Sequence, residues 1–245
     1  MVSTGNKSPW LKSNQIILAL LLIILLGSFL RIYGLGSESI WFDEAVSINV
    51  SQQSVALIIE KAELHPPLYY IILLFWILLF GTSEVATRSL SAIFGIISIF
   101  LIYQVGHALF SRKIGLISCF ISAISYFHIY YSQEIRSYSL LLLLTLLSFF
   151  LFIKIIKPDR TRKLYFSLLL FVNTCLAYTH VFGLFIIMSQ VFYFILLWNK
   201  YKKLRIWFFG VQIATLVFFS PWIHPLLFGR FQHYYLAFGY LSLLH

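Results

Sequence analysis

The chain has 245 residues, 60% of them hydrophobic and only 11% charged, with a mean hydropathy of +0.90. Soluble domains run at roughly 45–50% apolar and about 25% charged, so this composition excludes one and indicates an integral membrane protein. The net charge of +10 fits Lys and Arg held on the cytoplasmic side of a membrane better than a nucleic-acid surface.

A spanning helix needs about 20 mainly apolar residues. Lys7 and Lys12 precede an apolar run from Ile16 to Leu30 with no evident small-x-small cleavage site after it, so Leu11–Tyr33 reads as an uncleaved first span. Further spans are predicted at Ala86–Phe110, Gly115–Tyr131, Tyr138–Ile156, Leu164–Tyr178, Val181–Trp198 and Ile206–Ile223. As one helix, Leu164–Trp198 would be on the order of 50 Å long against a hydrocarbon core of about 30 Å. It is therefore split at the polar apex Tyr178-Thr179-His180.

The apolar stretch His65–Gly81, HPPLYYIILLFWILLFG, is short, and charge decides whether it crosses. If it does not, and the N-terminus is cytoplasmic, the loops with Lys7/Lys12, Arg112/Lys113, Lys157/Arg160/Arg162/Lys163 and Lys200/Lys202/Lys203/Arg205 all lie inside. That places 12 of the 18 basic residues there, and Lys154 nearby makes 13. Of the acids, Glu38, Asp43, Glu44, Glu60, Glu63, Glu84 and Glu134 then fall outside and only Asp159 inside. Crossing would flip every later loop against the positive-inside rule. The expected architecture is an all-α polytopic membrane protein with about seven transmembrane helices. An interfacial helix lies in a long first outer loop, about residues 34–87, and a short second outer loop spans about 132–137. Residues 1–245 read as one transmembrane module with no internal repeat. Cys119 and Cys175 lie in apolar runs and suggest no disulfide or zinc site.

On this topology the scarce polar residues converge outside: Asp43 and Glu44 in SIWFDEAVSI, His65, Glu134 and Arg136 in YYSQEIRSYSL, and His180. Each has a plainer reading. Asp43 and Glu44 suit the first turn of a helix. Glu134 and Arg136 suit an interfacial ion pair. His65 suits a cap before Pro66 and Pro67, and His180 a turn. Arg88 is expected as a snorkelling anchor at a helix end. As a set they suit one chemistry, in which cations hold a departing lipid phosphate and a carboxylate takes a proton from an acceptor.

The ordered stretches SIWFDEAVSI, HPPLYYIILLFWILLFGTSEVATRSLSAIFG, YYSQEIRSYSLLLLL and YTHVFGLF resemble the GT-C membrane glycosyltransferases. The resemblance is greatest to bacterial relatives of the protein O-mannosyltransferases and the lipid A aminoarabinose transferase, from about Leu11 to about Trp222. It implies a seven-helix amino-terminal module and inverting transfer from a polyprenyl-phosphate-linked sugar to a protein, lipid or glycan. The transfer would occur on the outer face of the cell membrane. It matches Asp43-Glu44 to an acidic motif with Asp43 catalytic, and Glu134 to a second acid that is commonly Asp. It also places His65 near the donor phosphate, in contact with phosphate or a metal; Arg136 and His180 are expected, from their own charge and position, to bind the donor phosphate or support the groups that do. Some members bind a divalent metal through such acids, here Asp43 and Glu134, and others work without one. Members usually continue into further helices, so the chain, ending LSLLH, is expected to be cut short, with a late loop beginning near His224, Arg230 and His233. A transporter or flippase, and a non-catalytic scaffold binding polyprenyl phosphate, are the competing readings.

Overall fold

The computed structural model describes residues 12–61, 66–157 and 162–224. His65, Glu63, Asp159, Arg160, Arg230 and His233 lie outside the described residues, as does the side chain of His224.

Every regular element among the described residues is helical. The chain runs α1 (Ser13–Ile32), α2 (Phe42–Ser51), α3 (Val55–Lys61), α4 (Leu68–Phe80), α5 (Glu84–Leu109) and α6 (Arg112–Ile124). It continues through α7 (Tyr126–Ser132), α8 (Tyr138–Ile156), α9 (Arg162–Ala177), α10 (Phe182–Leu196) and α11 (Arg205–His224). Serine caps set two of the starts. Ser83 accepts from the Ala86 N–H at α5 and Ser111 from the Ile114 N–H at α6, each at 3.3 Å. Gly81, at φ 84°, ends α4 in a conformation that a side chain would resist.

The 26-residue α5 is the hub, packing against α1, α4, α6, α7 and α8. Helix α8 then packs on α9, and α9 on α10 and α11. A Cβ on Gly106 would sit 2.9 Å from the Gly115 Cα, so the pair of glycines lets α5 and α6 cross backbone to backbone. Large apolar side chains such as Leu25, Phe80, Phe171 and Phe192 stand exposed on the outside of the bundle, as a lipid-facing surface requires. Inside, Ser148 donates to Asn173 Oδ1 at 2.6 Å and Gln190 Nε2 donates to Ser148 Oγ at 2.7 Å. Asn173 Nδ2 donates to Gln212 Oε1 at 3.3 Å, so an uncharged hydrogen-bond network ties α8, α9, α10 and α11.

Seven rods correspond to the seven expected spans, and four of them (α1, α5, α8 and α11) are long and apolar enough to cross a membrane. A fifth forms if α6 and α7 count as one span bent by 62°. The sequence reading took Gly115–Tyr131 as continuous; the helix breaks at Ser125, whose backbone is extended. Helices α9 and α10 have 16 and 15 residues, roughly 24 and 22 Å of helix. They are short of the core thickness by themselves. The segment after His65 does form a short apolar helix, α4. One face of it packs on the bundle, with Tyr69 and Leu73 buried against Leu90, Ile135 and Leu176, while Phe75, Leu78 and Leu79 stand exposed on the other.

Candidate active site

Asp43 and Glu44 occupy the first turn of α2, where carboxylates meet the exposed N–H groups of the helix. Being adjacent, they point about 100° apart, and the two meet different surroundings. Glu44 is buried. Its Oε1 accepts from Arg88 Nε at 3.0 Å and from the Ile135 N–H at 3.0 Å, and its Oε2 pairs with Arg88 Nη2 at 2.6 Å. Arg88 is therefore not a snorkelling anchor. It turns inward and also donates to the carbonyls of Leu35, Glu38 and Ser39. One guanidinium stitches the loop before α2, α2 itself and α5 together, while Glu44 adds the α7–α8 loop.

Asp43 is partly exposed, its side chain at 39%, and its Oδ2 lies 3.7 Å from Arg136 Nη2. Arg136 reaches across to Asp43 rather than pairing with Glu134. Its guanidinium sits 5.8 Å from the Tyr138 ring centre and within electrostatic range of Tyr70 and His180. The loop holding it is tied down twice. The Arg136 N–H donates to the Glu134 carbonyl, and the Arg136 carbonyl accepts from Ser91, which is itself bonded to the Tyr69 hydroxyl.

His180 stands in the turn between α9 and α10, its ring 6.2 Å from that of Tyr138. Its Nδ1 accepts from the Phe182 N–H, which places the ring proton on Nε2. Burial, then the charge of Arg136, push its pKa below the usual histidine range. The Leu68 N–H donates to the Tyr178 carbonyl at 3.0 Å and fixes α4 to the same turn.

Glu134 is buried, 7% exposed, and hydrogen-bonded to the Tyr130 hydroxyl. Burial first, then the nearby charges of Glu44 and Asp43, hold its carboxyl above the ordinary glutamate range. It opens onto a cavity of about 490 Å³ that Glu44 and Arg88 also line, and Asp43 is not in that lining. The structure thus gathers Asp43, Glu44, Glu134, Arg136 and His180 at one end of the bundle, split between two faces. Among the described residues no three His, Cys, Asp or Glu side chains are grouped closely enough to hold a metal ion.

The sequence reading missed Arg31. It is fully buried in the last turn of α1, donating to the carbonyls of Gly27, Ala123 and Ser122. The last two are carbonyls freed where α6 breaks, so a cation caps the bend. Gln133 then clasps α1, its amide donating to the carbonyls of Arg31 and Tyr33. At the other end of the bundle Lys157 Nζ donates to the Ala108 carbonyl, and Arg112, Lys154 and Lys157 surround His107. The acids Asp43, Glu44 and Glu134 thus share their end with paired arginines, and a cluster of bases without acids marks the other.

This helical architecture with its cluster of acids at one end is that of a GT-C type membrane protein. The family model for dolichyl-phosphate-mannose-protein mannosyltransferase matches residues 64–224, more than half of the chain, and the chain belongs to that family. Among solved structures it is similar to the S. cerevisiae protein O-mannosyltransferase Pmt1–Pmt2 complex bound to the sugar donor. The TM-score is 0.63 at 18% identity, over 96% of this chain and 34% of that one. At that identity the likeness is one of fold, and this chain spans about a third of its neighbour's length. No curated protein matches the chain.

Proposed function

We propose that the protein is a glycosyltransferase that moves a sugar from a polyprenyl-phosphate donor to an acceptor at the outer face of the cell membrane, as part of cell-envelope glycosylation. The observation that carries this is the Asp43–Arg136 pair. A half-exposed carboxylate and a guanidinium lie 3.7 Å apart on a face whose backbone is fixed by the buried Glu44–Arg88 pair. In the proposed reaction the acceptor oxygen or nitrogen attacks the anomeric carbon and passes its proton to Asp43. The carbon–oxygen bond to the lipid phosphate breaks, and the phosphate leaves with the electron pair toward Arg136 and His180. Attack opposite the leaving group inverts the anomeric centre.

Glu44 then acts through geometry: it holds the first turn of α2 so that Asp43 points at the reacting atoms. Glu134 supports the acid end from the cavity face. His65, outside the described residues, is a further proposed contact to the donor phosphate. The family match and the donor-bound state of the yeast neighbour support a lipid-phosphate sugar as donor. The basic end faces the cytoplasm on the positive-inside rule, with α4 held on the outer side. Asp43 and Glu134 could share a divalent cation only if the two faces came together, and the proposed steps use none.

The test uses membranes bearing the chain and its Asp43→Asn and Glu134→Gln forms, supplied with radiolabelled polyprenyl-phosphate sugars with and without chelator. Loss of the lipid-linked sugar that disappears in Asp43→Asn supports the reading. Undiminished donor binding with no turnover of any donor favours the scaffold instead.

A further inference from the structure

We infer that the cavity on the Glu134 face is a binding site for an ammonium group, and that it is closed to anions. The inference turns on which charges in its wall are already spent. Arg88 is the cation that lines it. A guanidinium has five N–H donors. Here Nε goes to Glu44 Oε1, Nη1 to the carbonyls of Leu35 and Glu38, and Nη2 to Glu44 Oε2 and the carbonyl of Ser39. All five are used within the protein, so Arg88 offers nothing to a phosphate, and Glu44 cancels its charge.

The remaining charge in the wall is negative. Glu134 lies buried at the cavity, hydrogen-bonded to the Tyr130 hydroxyl, while a carboxylate accepts about four hydrogen bonds. Glu38 adds a second carboxylate and is solvent-exposed. Tyr33, Trp41, Tyr126 and Tyr130 line the same space. Aromatic faces beside a buried carboxylate, on which Arg136 acts only from outside the cavity lining, attract an alkylammonium through ring quadrupole and charge-assisted hydrogen bond together. A phosphate here would meet like charge. The anion therefore belongs with Arg136 and His180, neither of which lines the cavity.

Two sources supply such a group at a membrane surface: an amine on the acceptor, and the headgroup of an ethanolamine phospholipid. Assigning the amine to the acceptor rests on the transfer reading above; the cation selectivity does not.

The test is calorimetric titration of the whole chain in phosphatidylglycerol nanodiscs, without donor, using ethanolamine, its neutral isostere ethylene glycol, inorganic phosphate and magnesium. Ethanolamine is expected to bind at least tenfold tighter than the glycol, and phosphate should not displace it. Glu134→Gln should reduce the discrimination to less than threefold. Trp41→Leu should weaken ethanolamine binding with an unchanged unfolding midpoint. Where Glu134→Gln does not fold, the exposed Glu38→Gln serves, with a smaller loss expected. Glycol binding as tight as ethanolamine, displacement by phosphate, or magnesium binding in place of the amine would overturn the assignment. Repeating the titration in discs containing phosphatidylethanolamine separates the sources. Loss of binding there identifies the headgroup, and unchanged binding identifies a soluble amine. Donor turnover is measured separately, so failure of either reading leaves the other standing.

Discussion

Replacing Arg88 by Met tests the central claim about the site, that its geometry hangs on one buried ion pair. Both side chains are nearly inaccessible, at 6% and 1%. Removing one partner of such a pair leaves an uncompensated charge in a low-dielectric interior and typically costs about 3–5 kcal/mol. The Leu35, Glu38 and Ser39 carbonyls lose their donor as well, which puts the expectation at the upper end, about 4–5 kcal/mol. Glu44→Leu should cost somewhat less, because Arg88 keeps its three carbonyls. The double variant should be more stable than the sum of the two predicts, by about 2–3 kcal/mol, since neither charge is then stranded. Denaturant titration in mild detergent, followed by tryptophan fluorescence, reads all three. Arg88→Lys should not rescue, because an ammonium cannot reproduce the fork that reaches both Glu44 oxygens. A cost below about 1 kcal/mol for Arg88→Met, or strict additivity in the double variant, would refute the reasoning.

Asp43→Asn should fold and bind donor normally but lose about 10²–10⁴-fold in turnover, the range of a general base; single-turnover assays on matched membranes check it. Arg136→Gln should raise the KM for donor and lower kcat, with Arg136→Lys intermediate, since charge without the planar fork is retained. For Glu134 the folded pKa is raised. Between the unfolded value of about 4.3 and that raised value, the unfolded chain has released a proton the folded chain keeps. Stability therefore falls as pH rises through this window, and Glu134→Gln should remove the slope in an unfolding series across pH. A slope of opposite sign would sink the burial argument. Asn173→Leu should destabilise by about 1–3 kcal/mol through the orphaned amides of Gln190 and Gln212, read as a lowered unfolding midpoint.

The long apolar runs of α1, α5 and α8 were legible because each carries its own signal, and so was the hairpin at Tyr178–His180. The distribution of charge along the chain was also legible, and it brought Asp43, Glu44, Glu134, Arg136 and His180 to one side. What escaped the sequence was pairing at a distance. Arg88 reads as a helix-end cation, and nothing local says that its partner stands 44 positions earlier. The break at Ser125 escaped too, because no proline or glycine marks it; its cause lies on another helix, in the Arg31 guanidinium that satisfies the carbonyls the bend exposes. A Cβ on Gly95 would collide with Ser132, so the seat of α7 against α5 is also written in α5 rather than in α7.

The adjacency of Asp43 and Glu44 then acquires a physical meaning. On a helix, neighbours cannot share a face. The doublet places one carboxylate inward, where Arg88 and the Ile135 N–H consume it, and the other toward Arg136. The inward acid is spent on position, which is why the outward one can be held at a fixed distance from a cation without itself being buried. The same division sorts the surroundings by charge. In the proposed transfer Arg136 and His180 suit the side of Asp43 to a departing phosphate, while Glu134 and the neutralised Arg88 leave the cavity negative. The proposed reaction must keep an anionic leaving group apart from an incoming nucleophile, and the two carboxylates of α2 give it two separate surroundings in which to do so.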